Sequence, residues 1–311
     1  MTYKLNPQLA QHFDDAQTVF LREQLTNLKR EAIRVEFPEF KARSLIPVKT
    51  ETNTGDEFVE FRTLERVGRS KIVADYAKDF PSVTLKGSSH IGRIKSLGAS
   101  YGFSIQEVRN AARAGVALST ELARAAKEAI MEQENQIAFF GDNDNRLYGL
   151  FNNPNIPRSL APAGTGGIDW SLKTPNEIIA DLNQVVNGVS QNSLGLHQAN
   201  VLLLPLSKYN SIASTPRSTT SDTTILAWFL QNNPYIQKVM WLNELETGSS
   251  SGDAMAVAYK LDPSVLQLDI PQDFEVFPEQ VEGMTFKHPC HSRIAGVHIY
   301  KPLAVNFLED F

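Results

Sequence analysis

A single cysteine, Cys290, stands in a chain of 311 residues. It can form no disulfide within the chain, so stability must come from packing or from assembly. A reducing cytoplasm during synthesis fits this usage. No apolar run reaches the ~20 residues needed to cross a bilayer, so no membrane partner is expected. The N-terminal stretch MTYKLNPQLAQHFDD has neither the apolar core nor the small-residue cleavage site of a secretory signal. The net charge is −5, so the chain lacks the basic excess of a protein that coats nucleic acid. Internal repeats and low-complexity tracts are absent as well. What remains is ordinary for a globular protein, 42% hydrophobic and 21% charged, and long enough for one large domain or two lobes sharing a core.

The chemistry-bearing patterns are equally sparse. His288, Cys290 and His291, with His298 further on, form a cluster of metal-ligand types. A zinc site needs three or four ligands converging tetrahedrally. The spacing of His288 and His291 suits one site on a strand poorly, and a turn followed by a strand is expected there instead. The run Gly164 to Gly167 lacks the Lys-Ser/Thr end of a phosphate-binding loop and reads as a flexible linker. No Gly-x-Ser-x-Gly elbow is present. No catalytic residue, cofactor or metal is expected.

Along the chain, residues 1–45 read as an arm. Apolar residues are few, charges of both signs alternate, and Leu21, Leu25 and Leu28 fall at helical spacing. Residues 46–103 read as β-structure carrying a long polar extension, expected to be a projecting β-hairpin. Ser104-Ile-Gln-Glu107 is a capping box, so a helix is expected to Ala114, where Gly115 breaks it. A second, long helix is expected from Ser119 to Phe140, rich in Ala, Glu and Lys, with Leu122, Ala126, Ile130, Ile137 and Phe140 near one face. Gly141 closes it. Leu147, Leu150 and Phe151 anchor the following turn-rich stretch. An amphipathic helix from Thr174 to Val189 is expected to stop at Gly188. Val201 to Leu204 reads as a central strand, apolar on both faces, and Thr224 to Asn233 as a helix. The last third is strand-rich, with Ile294, Val297, Ile299 and Val305 as core candidates.

The long helix closes on Ile137-Ala138-Phe139-Phe140-Gly141-Asp142, and Tyr148-Gly149-Leu150-Phe151-Asn152-Asn153-Pro154 follows. Leu202-Leu203-Leu204-Pro205 leads into Ser207-Lys208-Tyr209. In this order and spacing the chain resembles the Hong Kong 97-type capsid fold of tailed-phage shells, herpesvirus shell floors and encapsulins. The resemblance covers nearly the whole chain. It implies an α+β fold with an N-terminal arm (1–45), an extended loop with flanking strands (46–103), a peripheral lobe built on the spine helix (104–159 and 266–311) and an axial lobe (160–265). The implied function is a major capsid protein, assembling with itself as hexamers and pentamers into an icosahedral shell around a double-stranded DNA phage genome. No helical scaffolding segment precedes the arm, which implies a separate scaffolding protein or prior removal of the segment. A portal and a decoration protein are further implied partners, and assembly in the host cytoplasm is the implied location. The alternatives are an encapsulin-type compartment shell and an α/β enzyme whose site the sequence does not display.

Charge distribution adds one expectation. Residues 58–97 hold eight basic residues against four acidic ones, and residues 232–283 hold two against nine. The basic hairpin of one subunit is therefore expected to lie on an acidic surface of its neighbour, with Arg66, Arg69 and Lys71 as contacts. Some relatives cross-link Lys to Asn between subunits; Lys71, Lys78 and Lys86 lie in the hairpin, but lysines in a polar loop are ordinarily only solvated.

Overall fold

Most of the stretch read as an arm lies outside the described residues, but its last residues are core. The computed structural model describes residues 39–73, 75, 78, 80–114, 118–218 and 222–311. Phe40–Phe311 packs as one unit. Within it α1 (Ala42–Leu45) buries Ala42 and Leu45, and Ile46 follows them inward. After the two-residue strand β1 (Val48–Lys49), β2 (Phe58–Val67) and β3 (Thr84–Arg93) pair antiparallel over their full lengths, from Phe58 opposite Arg93 to Val67 opposite Thr84. Ten residues at ~3.4 Å each carry this hairpin about 30 Å.

β4 (Lys95–Ser104) runs straight into α2 (Ile105–Ala114) through the expected capping box. The Ser104 amide donates to Glu107 Oε2 at 2.7 Å, and the Glu107 amide donates to Ser104 Oγ at 3.2 Å. The expected break at Gly115 lies outside the described residues. The spine helix α3 (Leu118–Phe140) buries Ala126, Ile130 and Ile137 on the expected face. Its last carbonyls, which have no partners within a helix, are met by the chain turning back. The Gly141, Leu150 and Phe151 amides donate to the carbonyls of Ile137, Ala138 and Phe139 at 2.8–2.9 Å. Gly141 takes φ +71°, and at Gly149 a Cβ would collide with the backbone of Gly141, Ile137 and Phe139. The two glycines of the motif thus make one compact helix cap.

β5 (Arg158–Leu160) precedes the Gly164–Gly167 loop, which is tethered rather than flexible. The Thr165 amide and hydroxyl donate to Glu177 Oε1 at 2.8 and 2.6 Å, and Thr174 donates twice to Glu177 Oε2. These four bonds, the Thr165 hydroxyl first, hold the Glu177 carboxyl down at about 2. α4 (Pro175–Asn192) passes through Gly188 instead of stopping there. Gly188 is needed for close approach, since a Cβ would meet the Asn306 amide, whose Nδ2 donates to the Val185 carbonyl at 3.0 Å.

β6 (Val201–Leu204), α5 (Leu206–Ser214), α6 (Ile225–Asn232), β7 (Lys238–Trp241) and β8 (Met255–Tyr259) follow. Then come β9 (Leu266–Asp269), β10 (Gln272–Val276), β11 (Gln280–Glu282), β12 (Thr285–Ile294), β13 (Gly296–Ile299) and β14 (Val305–Glu309). The main sheet has the order β5-β14-β8-β6-β7. Alternation sends Val201 and Leu203 into one core and Leu202 and Leu204 into another, which explains the uninterrupted apolar run of a central strand. The second core lies under α4, α5 and α6; the first lies against α1, the end of α3 and the β1-β9-β13 sheet. β12 pairs with β4 along ten residues, from Thr285 opposite Ser104 to Ile294 opposite Lys95. The segment 266–311, expected with the spine helix as a block, divides: β12 packs on α3, whereas β14 joins β8 and β5 in the main sheet. Among the described residues no helix is long and apolar enough to cross a membrane.

Candidate assembly surfaces

The hairpin has two unlike faces, set by strand alternation. On the inner face Phe61 stacks on His90 at 5.1 Å and meets Tyr300 edge-on at 5.0 Å, so the base of the hairpin rests on the body. The outer face carries Phe58, Leu64, Leu85 and Ile91, with Leu64 70% and Leu85 69% exposed. Arg66 stands opposite Leu85 on this apolar face, and Arg62 stands two residues before Leu64. Arg69 and Lys71 lie beyond the end of β2, in the connection to β3, and both are exposed. Glu60 belongs to the hairpin itself: it accepts from Ser89 at 2.7 Å and pairs with Arg62 at 3.2 Å, contacts that hold its carboxyl below the usual range.

The acidic stretch 232–283 is less uniform than its sequence. Asp269 is buried, Asp273 pairs with Arg43 at 2.8 Å, and Asp262 pairs with Lys260 at 3.6 Å. Glu244 accepts from Asn135, and Glu246 from Ser207. Glu275, Glu279 and Glu282, on and between β10 and β11, are exposed beside Val276, Phe277, Val281 and Met284, and have only loose partners in the subunit: Glu275 accepts from Gln272, Glu279 stands 3.9 Å from His288 and Glu282 4.0 Å from Lys287. This surface is apolar and acidic where the hairpin is apolar and basic.

A third feature fixes α1 to the spine helix. Glu134, 2% exposed, interrupts the apolar stripe of α3. It receives Arg43 Nη2 at 2.6 Å and the Ser292 hydroxyl at 2.9 Å. Next to it Asn135 accepts the Ala42 amide at 3.1 Å. The spine helix thereby holds α1 by polar bonds. A charged residue one turn after Ile130, on an otherwise apolar face, was the available signal.

The metal-ligand types do not converge. His288, Cys290 and His291 lie inside β12 rather than in a turn, with His288 and Cys290 on one face and His291 on the other. His288 stacks on Tyr101 at 4.9 Å, and Cys290 packs with Ala126 and Ile130. Among the described residues no three His, Cys, Asp or Glu side chains come together as a metal site.

Comparison with known proteins agrees with this architecture. The fold matches the capsid of the myovirus phage XM1 at TM-score 0.79, with 17% identity over 91% of this chain and 96% of that one. It matches a chain from Mycobacterium phage Bobi at TM-score 0.62, with 14% identity over 92% and 97%. A virus-like particle from Pyrococcus furiosus is matched at TM-score 0.54, with 16% identity over 86% and 91%. The curated protein sequences contain no match. The α+β, Hong Kong 97-type fold expected from the sequence is thus the fold of phage shells. The family model for the major capsid protein covers residues 68–310, from the hairpin to the last strand, and on that match the chain belongs to the major capsid protein family.

Proposed function

We propose that copies of this chain form hexamers and pentamers that close into an icosahedral shell around the double-stranded DNA of a tailed phage. Each hairpin would lie on a neighbour's β10–β11 surface. The observation that carries this reading is the outer hairpin face, where apolar side chains of a ten-residue ladder stand exposed among arginines. An exposed apolar patch of this kind, with basic residues around it, marks an interaction surface. Arg66, Arg69 and Lys71 would supply its charge toward Glu275, Glu279 and Glu282. Each exposed ion pair contributes only ~0–1 kcal/mol, but repetition over many subunits sets register and rate while wrong contacts still dissociate. A separate scaffolding protein, a portal and a decoration protein are the partners such a shell would use, with assembly in the host cytoplasm and residence in the virion. No catalytic step is needed. An encapsulin-type compartment is the alternative, and the stronger likeness to the XM1 capsid than to the archaeal particle favours the phage reading.

The test is assembly of the full-length chain, followed by light scattering and negative-stain microscopy. Shells or capsomer-sized rings are expected, forming more slowly above ~0.5 M salt, where the screening length is a few Å. The triple variant Arg66→Glu, Arg69→Glu, Lys71→Glu should give folded subunits that assemble poorly. Normal shells from that variant at the usual rate in low salt would refute the charge contact, and a stable monomer of the unaltered chain would refute the shell.

A further inference from the structure

Where the hairpin rests on the body it covers a histidine. His298 on β13 is 6% exposed, with Phe61 of β2 at 5.7 Å between ring centroids. Gly92 of β3 lies so close that a Cβ there would occupy the space of the imidazole ring. Beneath, Asp269 of β9 is wholly buried, its Oδ2 3.4 Å from His298 Nε2. Among the described residues neither Asp269 oxygen nor His298 Nε2 has a hydrogen-bond partner. Beside this contact a cleft of about 440 Å³ runs between hairpin and body, lined by Phe61, His90, Tyr148, Asn153 and Tyr300, among others. It gives the hairpin room to move against the body.

We propose that His298 is an acid-sensitive latch: the hairpin sits down on the uncharged imidazole and lifts from it when the imidazole takes up a proton. The charge environment has one cation, Lys49, and one carboxylate, Asp269, whose Oδ2 faces Nε2 at 3.4 Å without completing a hydrogen bond. Lys49 comes from β1, Asp269 from β9, His90 from β3 by way of the Phe61 stack, and Tyr300 from the end of β13, its hydroxyl committed to Gln267 at 3.0 Å. β2 contributes the uncharged Phe61. Burial first, and Lys49 second, push His298 down to about 4, while burial pushes Asp269 up to about 6. Lifting the hairpin returns His298 to water, where an imidazole titrates near 6.5. Asp269 stays between β1 and β13 in both positions, so it largely cancels.

The sign follows from linkage. A histidine whose pKa is depressed in the seated position favours that position above about pH 6.5, and the preference is lost progressively as pH falls toward 4. Coupling to Asp269 shares the protons between the two groups and reduces the effect. Opening should therefore increase by about tenfold between pH 7 and pH 5. The latch lies within one subunit, so its test does not depend on whether a neighbour receives the hairpin.

Hydrogen exchange of the full-length chain, corrected for the intrinsic pH dependence of exchange, measures this opening. Amides of residues 58–67 and 84–93 should lose protection by about tenfold from pH 7 to pH 5, while those of β6 and β8 stay unchanged. His298→Phe should abolish the response by giving Phe61 and Gly92 an apolar seat that cannot titrate, and His298→Gln should abolish it if the larger ring disturbs folding. His90→Phe should retain it. Unchanged hairpin protection in the unaltered chain, or an equal response in a folded His298 variant, would overturn the latch.

Discussion

Ile130 offers the most direct test of how the spine helix is seated. Its side chain is 3% exposed and packs with Ala126 and Cys290, flanked by the half-buried Ala99, Tyr101 and Phe274. This is a small satellite cluster, separate from the two large cores, and it can partly collapse around a lost methyl group. Ile130→Val should therefore cost ~1 kcal/mol, and Ile130→Ala about 2–3 kcal/mol, toward the low end of large-to-small substitutions. In a chain of this size the alanine variant should melt about 5–10 °C lower. Ile130→Asp is a different perturbation. It loses the same apolar contacts and also places a carboxylate among them, one helical turn from the buried Glu134. Arg43, the cation that reaches Glu134, is already held by Glu134 and Asp273. The added desolvation brings the cost to at least ~4 kcal/mol, comparable with the ~5–15 kcal/mol margin of a whole domain. The expected outcome is insoluble subunit, read by fractionation after expression, with valine and alanine variants soluble and ordered by calorimetric melting temperature. A soluble Ile130→Asp subunit with the melting temperature of the unaltered chain would place Ile130 outside any core and refute the seating of the helix on β4 and β12.

Deleting residues 1–38 should leave the thermal transition in place but impair assembly. Deleting residues 1–49 should abolish the transition, because Ala42, Leu45 and Ile46 are each at most 2% exposed; circular dichroism melts of both would show it. Gly149→Ala should destabilise by more than ~2 kcal/mol, since its Cβ meets backbone rather than a movable side chain, and a denaturation midpoint near that of the unaltered chain would contradict the cap. Glu177 titrates at about 2 in the fold against 4.5 for the free group. A depressed carboxyl stabilises above its unfolded pKa and loses that contribution as pH falls through the folded one, so the tether to Thr165 should persist to about pH 3 and fail near pH 2. Thr165→Val should shift the Glu177 carboxyl upward by NMR titration; no shift would show that the loop hydroxyl does not hold it.

Elements whose signals are local were legible along the chain. The capping box at Ser104, the alanine-rich spine helix, the Gly141 stop and the two-faced strand Val201–Leu204 all depend on neighbours within a few residues, where propensity, caps and periodicity act directly. Their order along the chain carried the resemblance, and with it the family. The rest emerged only on folding, because those features join residues distant in the chain. Gly188 has the composition of a helix stop, but the approach of Asn306 requires a glycine inside the helix. The Gly164–Gly167 loop has the composition of a flexible linker, but Glu177 ties it down. Of the nine acids in 232–283 only the geometry shows that Asp269 is buried whereas Glu275, Glu279 and Glu282 face outward. Arg43 with Glu134, and His298 with Asp269, are juxtaposed across 91 and 29 positions of chain. No local pattern encodes such a meeting; it exists only once the sheets close around it.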